Sequence, residues 1–184
     1  MTTHYPKIIL LSTLALLTGC AQNHEVPKLH NQVVALNQQL TTLTNQATAL
    51  EQQNQLNKNS TSGVYLLPAA NNAARLQSSL GELSVSLSHV KTEANGTQAL
   101  LHVRTLSQAS LPAFKAVVEW GQLDPATGKP LAADSLSQPI ASADSLLPKS
   151  EHTFELRFSG LTPEQLGFVR LHSVEPVTVA TAQN

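Results

Sequence analysis

Leu83-Ser84-Val85-Ser86-Leu87-Ser88-His89 carries an apolar side chain at every second position, and Thr97-Gln98-Ala99-Leu100-Leu101-His102-Val103-Arg104-Thr105-Leu106 answers it beyond Asn95-Gly96. A period of two sends alternate side chains to opposite faces, so each run reads as a half-buried strand, and Asn-Gly between them marks a hairpin. Two registers are open. A two-residue Asn95-Gly96 turn would set His89 against His102 and Leu87 against Arg104. A three-residue Ala94-Asn95-Gly96 loop, with Gly96 left-handed, sets Leu87 against Val103 and His89 against Leu101. The second aligns apolar with apolar and is the one expected; it turns His102 to the face opposite His89.

Further strands lie downstream. Phe114 to Leu123 places Ala116, Val118 and Trp120 on one face, and His152 to Phe158 does the same with Phe154, Leu156 and Phe158. Gly167 to Val174 is the last clear strand. Before it, Thr162-Pro163-Glu164-Gln165-Leu166 has an N-cap, a Pro at the first helical position and a Gly after its end, which predicts one short helical turn. Asp124 to Pro130 is a loop. Residues 131–150, in which Ala-Asp-Ser-Leu occurs at Ala133 to Leu136 and again at Ala143 to Leu146, leave room for one or two strands, and Val64 to Leu67 for another. Roughly six to eight short strands between residues 64 and 176 fit a two-layer immunoglobulin-like β-sandwich, with a small open barrel as the alternative. The fold class is mainly β.

Upstream the period changes. Val26, Leu29, Val33, Leu36, Leu40, Leu43, Ala47 and Leu50 recur at alternating steps of three and four, the a/d pattern of a coiled coil; Asn54 and Asn57 then end the apolar seam. Pro27 falls in the first turn, where its missing donor does no harm, and neither Gly nor Pro occurs between Lys28 and Ser62. A long N-terminal α-helix of coiled-coil type is expected over residues 26–58, its regular part ending near Leu56 and about 45 Å long. So narrow a stripe needs a partner. Self-association is the expected one, with packing against the chain's own C-terminal domain or against a heterologous helix as alternatives. Valines at a with leucines at d favour a parallel dimer, while Leu40 and Ala47 at a leave a trimer open. The flanking positions, among them Gln32, Asn37, Gln39, Thr44, Gln46 and Gln53, are mostly uncharged, so charge does little to fix orientation.

The first twenty residues read as an address. His4 and Lys7 precede an apolar run from Ile8 to Leu17, broken only by Ser12 and Thr13, which ends in Leu17-Thr18-Gly19-Cys20. Ten helical residues reach about 15 Å, half of a ~30 Å hydrocarbon core, so this is a signal peptide and not a membrane span. Cys20 is the sole cysteine; directly after Thr-Gly it resembles the lipobox cysteine of bacterial lipoproteins, which is lipidated and becomes the new N-terminus. Ala21 stands where Asp would direct inner-membrane retention, so an outer-membrane lipoprotein facing the periplasm is expected. The chain therefore divides into a leader (1–19), a lipidated tether (20–25), a helical stalk (26–58), a sandwich (64–176) and a tail (177–184).

Chemistry is harder to find. Eleven Lys and Arg against twelve Asp and Glu give a formal net charge of −1, which supplies no field to gather nucleic acid. No HxH, HExxH or cysteine cluster offers metal ligands, and no G-x-S-x-G elbow or Ser-His-acid pattern stands out, so no metal, cofactor or catalytic residue is assigned. Glu119, Glu155 and Glu175 sit singly among strands; Arg104, Arg170 and His172 could line a peptide or glycan surface, but exposed strand positions ordinarily carry such residues with no function.

Taken together, the lipobox, the Gln/Asn-rich helix, Ser62-Gly63-Val64-Tyr65-Leu66-Leu67-Pro68, Leu111-Pro112-Ala113-Phe114 with Val118-Glu119-Trp120-Gly121-Gln122, and Gln165-Leu166-Gly167-Phe168-Val169-Arg170-Leu171-His172 resemble the YajI-type bacterial lipoproteins. The resemblance implies an outer-membrane lipoprotein with an immunoglobulin-like C-terminal part of unknown function, and brings no catalytic residues. The expected role is a non-enzymatic module, bound to the membrane through lipid on Cys20, that engages an envelope protein or the cell wall. The alternative is a periplasmic hydrolase or lyase acting on an envelope polymer through carboxylates. A passive murein-linked spacer fits less well, because Ala182-Gln183-Asn184 lacks a terminal Lys.

Overall fold

The computed structural model describes residues 25–177. The leader, Cys20 and the tail beyond Val177 lie outside them. The chain divides into two compact units, Met1–Gln39 and Leu40–Asn184. Helix α1 (Glu25–Lys58) supplies the described part of the first and the opening of the second. Its threonines are poor helix formers, yet Thr44 and Thr48 turn their hydroxyls back to donate to the carbonyls of Leu40 and Thr44, at 2.8 and 3.0 Å. Among the described residues no helix is long and apolar enough to cross a membrane.

The described residues beyond α1, 59–177, are mainly β. The strands are β1 (Val64–Leu66), β2 (Ala74–Ser78), β3 (Gly81–Glu93), β4 (Gly96–Thr105), β5 (Phe114–Gly121), β6 (Leu136–Ala141), β7 (Glu151–Ser159) and β8 (Phe168–Pro176). They form two four-stranded sheets, one in the order β1-β8-β5-β6 and the other β2-β3-β4-β7. Every pairing is antiparallel. The open barrel is thereby set aside. One core lies between the sheets, built from the inward residues that the alternation marks: Leu83, Val85, Leu101 and Val103 from one sheet, Val118, Trp120, Val169 and Leu171 from the other. Aromatic pairs join the two layers, Trp120 to Phe158 at 5.3 Å and Phe114 to Phe154 at 6.0 Å between ring centroids.

Two expectations are corrected. The hairpin closes on a two-residue Ala94-Asn95 turn with Glu93 opposite Gly96, and a bulge at His89 and Val90 then shifts the register, so Leu87 faces Leu101 and Val85 faces Val103. Apolar still meets apolar, because the shift from the expected pairing is two residues and keeps each side chain on its face. His89 sits at the bulge with φ +52, and Gly96 is required because a Cβ there would lie 2.1 Å from the Phe158 carbonyl oxygen. Strand β2, whose five residues hold only Ala74 and Leu76 as apolar members, was absent from the sequence reading. The uncertain stretch 131–150 supplies β6, whose Pro139 is tolerated because the strand is at a sheet edge. At residues 162–166 the expected turn forms, with the amides of Gln165 and Leu166 both donating to the Thr162 carbonyl at 3.0 Å.

The opposite edge of that sheet, β1, is closed by the helix. Asn57 accepts from the Tyr65 amide at 2.7 Å and donates to the Tyr65 carbonyl at 2.9 Å, and Gln53 accepts from the Leu67 amide at 2.8 Å. Residues 53 and 57 are one helical turn apart, and 65 and 67 are alternate strand positions, so two amides serve an edge that would otherwise need another strand. Ala49, Leu67, Ala70 and Phe168, with Leu50, Leu56, Tyr65 and Leu123 packed against them, form a second small core beneath this part of α1.

Candidate functional site

The outer face of the β2-β3-β4-β7 sheet carries a polar constellation that the sequence reading did not assemble. Ser86, His102 and Thr153 are cross-strand partners on β3, β4 and β7. One pleat along β3, the Ser88 hydroxyl reaches His102 Nε2 at 2.7 Å. On the other side of that ring, His102 Nδ1 is 2.9 Å from Glu151 Oε1 and 3.1 Å from the Thr153 hydroxyl. The bulge supplies a further member: with its backbone left-handed, His89 brings Nδ1 to 2.9 Å from the same Ser88 hydroxyl. The expectation that His89 and His102 face opposite ways is thus overturned, since both rings meet one oxygen. A non-glycine residue at positive φ is costly and tends to persist where it positions a side chain.

One assignment of protons satisfies every bond in a line. His89 Nδ1–H donates to Ser88 Oγ, Ser88 O–H donates to His102 Nε2, and His102 Nδ1–H donates to Glu151. Beside this line lies a cavity of about 170 Å³, lined by His89, Lys91, Gln98, Ala99, Leu100 and Glu155. Two of its lining residues adjoin Ser88: Leu100 is its cross-strand partner and the His89 ring meets its hydroxyl. Glu155 is held below the usual carboxylate range, first by the Gln98 amide and then by Arg157.

The outer face of the other sheet holds a second cluster, organised around Arg170 on β8. Its guanidinium donates to Glu119 at 3.3 Å and to the Ser62 carbonyl at 2.7 Å, and lies over the Tyr65 ring at 5.0 Å from the centroid. Glu119 also accepts from the Ser135 hydroxyl at 2.8 Å and stands 3.9 Å from His172 Nε2. His172 is held below its ordinary 6.5 by burial and then by Arg170, with Glu119 opposing. These contacts fasten the segment between α1 and β1 to the sheet; they leave no unengaged acid.

The three carboxylates weighed in the sequence are not brought together as a pair. Glu119 serves Arg170, Glu155 serves Gln98 and Arg157 on the other sheet, and Glu175 pairs with Lys115 at 3.2 Å. Arg104 is exposed on the same face as Ser88. Among the described residues no three His, Cys, Asp or Glu side chains are grouped to hold a metal ion.

The uncharacterized lipoprotein YajI of Escherichia coli (strain K12) is 39% identical over 177 residues, which is 96% of this chain and 99% of that one. The solution NMR structure of the Escherichia coli lipoprotein matches with a TM-score of 0.66 at 35% identity, covering 76% of this chain and 85% of that chain. The Salmonella enterica trimeric lipoprotein SadB shares the fold at 17% identity, with a TM-score of 0.52 over 84% of this chain and 78% of that chain. The model of the family described as "Protein of unknown function (DUF3251)" matches residues 20–182, and with a relative of this similarity along nearly its whole length the chain belongs to that family of lipoproteins.

Proposed function

We propose that the chain is a lipoprotein anchored in the outer membrane by lipid on Cys20, facing the periplasm, that self-associates through α1 and presents an immunoglobulin-like sandwich to an envelope protein or the cell wall. Two acyl chains or more anchor a protein stably without a spanning segment, because each buried CH₂ contributes about 0.8 kcal/mol. The carrying observation is the helix stripe. Leu29, Val33 and Leu36 in the first unit are 58%, 55% and 64% exposed, and Leu40 and Leu43 in the second are both 62% exposed. These are the a and d positions of the heptad pattern, and isolated helices do not leave such a row in water without cost.

Packing within the chain takes up only the end of this stripe, at Leu50, and leaves Leu29 to Leu43 exposed. Where α1 lies on the sandwich, its buried residues are Ala49 and Gln53, one position before the seam residues Leu50 and Asn54, and one residue is ~100° around a helix. Ala47, on the seam, is exposed. The trimeric assembly named for SadB supports the same reading by likeness of fold. Sedimentation of the full chain in detergent tests it: the wild type should be oligomeric and a Leu36→Glu, Leu40→Glu variant monomeric with its helix content kept. A wild type that stays monomeric at high concentration would overturn the coiled-coil reading.

A further inference from the structure

We infer that Ser88 is a nucleophile, able to take an acyl group from a short-chain carboxylic ester bound in the adjoining cavity. Three observations meet there. The hydroxyl lies 2.7 Å from His102 Nε2, a base whose other nitrogen lies 2.9 Å from Glu151, so nucleophile, base and orienting acid stand in hydrogen-bonding sequence. A β-bulge with a strained His89 adjoins the hydroxyl and aims a second imidazole at it. The cavity beside them, about 170 Å³, admits a group of acetyl to butanoyl size and is lined by Leu100, Lys91 and the same His89. A solvated polar face requires none of the three.

In the step assigned, Ser88 Oγ adds to the ester carbonyl carbon as its proton passes to His102 Nε2. The oxygen of that carbonyl becomes negative in a cavity whose lining offers Lys91 and His89 as hydrogen-bond donors. Collapse expels the alcohol, which takes the proton from His102, and leaves an ester on Ser88. Water, deprotonated by the same nitrogen, then releases the carboxylic acid and restores the hydroxyl. Ser88 and His102 are the catalytic residues; Glu151 acts through His102 as a positioning residue, holding the tautomer that leaves Nε2 free to accept. The site is independent of self-association and of any envelope partner.

The test uses the full chain in detergent with a fluorophosphonate, which modifies activated serines irreversibly, and with p-nitrophenyl acetate. Labelling should fall on the Ser88 peptide alone, with p-nitrophenol release at least tenfold above free imidazole at equal concentration. Ser88→Ala should abolish both, and His102→Gln should lower both by 100-fold or more. Glu151→Gln should reduce the rate and move the His102 Nδ1 proton resonance upfield, while Glu151→Asp restores part of each. Absence of labelling, labelling that survives Ser88→Ala, or rates unaffected by His102→Gln would overturn the assignment.

Discussion

Removing the Gln53 side chain should loosen the contact between helix and sheet more than any other single amide change in α1. Gln53 is 1% exposed and its Oε1 is the acceptor for the Leu67 amide at 2.8 Å. In Gln53→Leu the volume stays and only the acceptor goes, leaving a buried N–H unpaired at about 1–3 kcal/mol. Gln53→Ala adds the loss of a packed methylene, about 0.8 kcal/mol, for a total of about 2–4 kcal/mol. Trp120, the sole tryptophan and 4% exposed between the sheets, reports unfolding by its fluorescence. With a urea m-value of about 2 kcal/mol per M, the midpoint should fall by about 1–2 M in Gln53→Ala and less in Gln53→Leu. Asn54→Ala, one position away and exposed, should stay within about 0.5 kcal/mol of wild type. Equal midpoints for Gln53→Ala and Asn54→Ala would refute the idea that helix amides close the β1 edge.

Arg170→Ala breaks the bonds to Ser62 and Glu119 and the stacking on Tyr65 together, so it should cost about 1–3 kcal/mol, and in a double-mutant cycle with Tyr65→Leu the ring contact should appear as a coupling of about 0.5–1 kcal/mol. His172 titrates below its ordinary 6.5 in the folded chain, so the unfolded chain binds the extra proton first; the contribution of neutral His172 is complete above 6.5 and declines as pH falls through the window beneath it. Urea midpoints between pH 7 and 5 should show that decline, and His172→Gln should reduce its slope. Gly96→Ala should fold poorly or with a loss of about 3 kcal/mol or more, since its Cβ would meet the Phe158 carbonyl on β7 at 2.1 Å, and thermal melts will show whether β4 can shift to relieve it.

Much of the fold follows from period alone. The change from steps of three and four to steps of two locates the helix and most strands, and the inward alternation of β3, β4, β5 and β8 names the core residues. What period could not show is where a ladder skips. A bulge absorbs one residue, and at His89 no glycine announces it, so an unbroken ladder with the best apolar match was the natural choice and gave the wrong partners. The register error did not hide the Ser88–His102 pair, since the expected ladder also sets the two side by side; what it lacked was the β4–β7 pairing that brings Glu151, forty-nine positions away, to His102, and the bulge that turns His89 to Ser88. Polar residues at successive outward positions of three strands were the available signal, but a solvated face has the same pattern.

The amides of α1 carry the more instructive lesson. In sequence, Asn54 and Asn57 look like one event, the end of an apolar seam, and the Gln/Asn content of the helix looks uniformly neutral. In the structure they part company: Asn57 holds both polar groups of Tyr65, while Asn54 points to solvent. Residues 53 and 57 are fixed by the spacing of a strand edge, and 40 and 43 by the spacing of a helical seam. The d row is thus exposed at Leu29, Leu36 and Leu43 and turned to docking at Leu50 and Asn57, with Gln53 beside it. Because the docked residues lie further along the helix than the exposed Leu36 and Leu40, Gln53→Ala should lower the urea midpoint without changing the sedimentation of the assembly, and the Leu36→Glu, Leu40→Glu pair should do the reverse once protein concentration is low enough for wild type and variant to be compared as monomers. A substitution on one face that moved both readings equally would mean that the stripe and the docked face act as one surface.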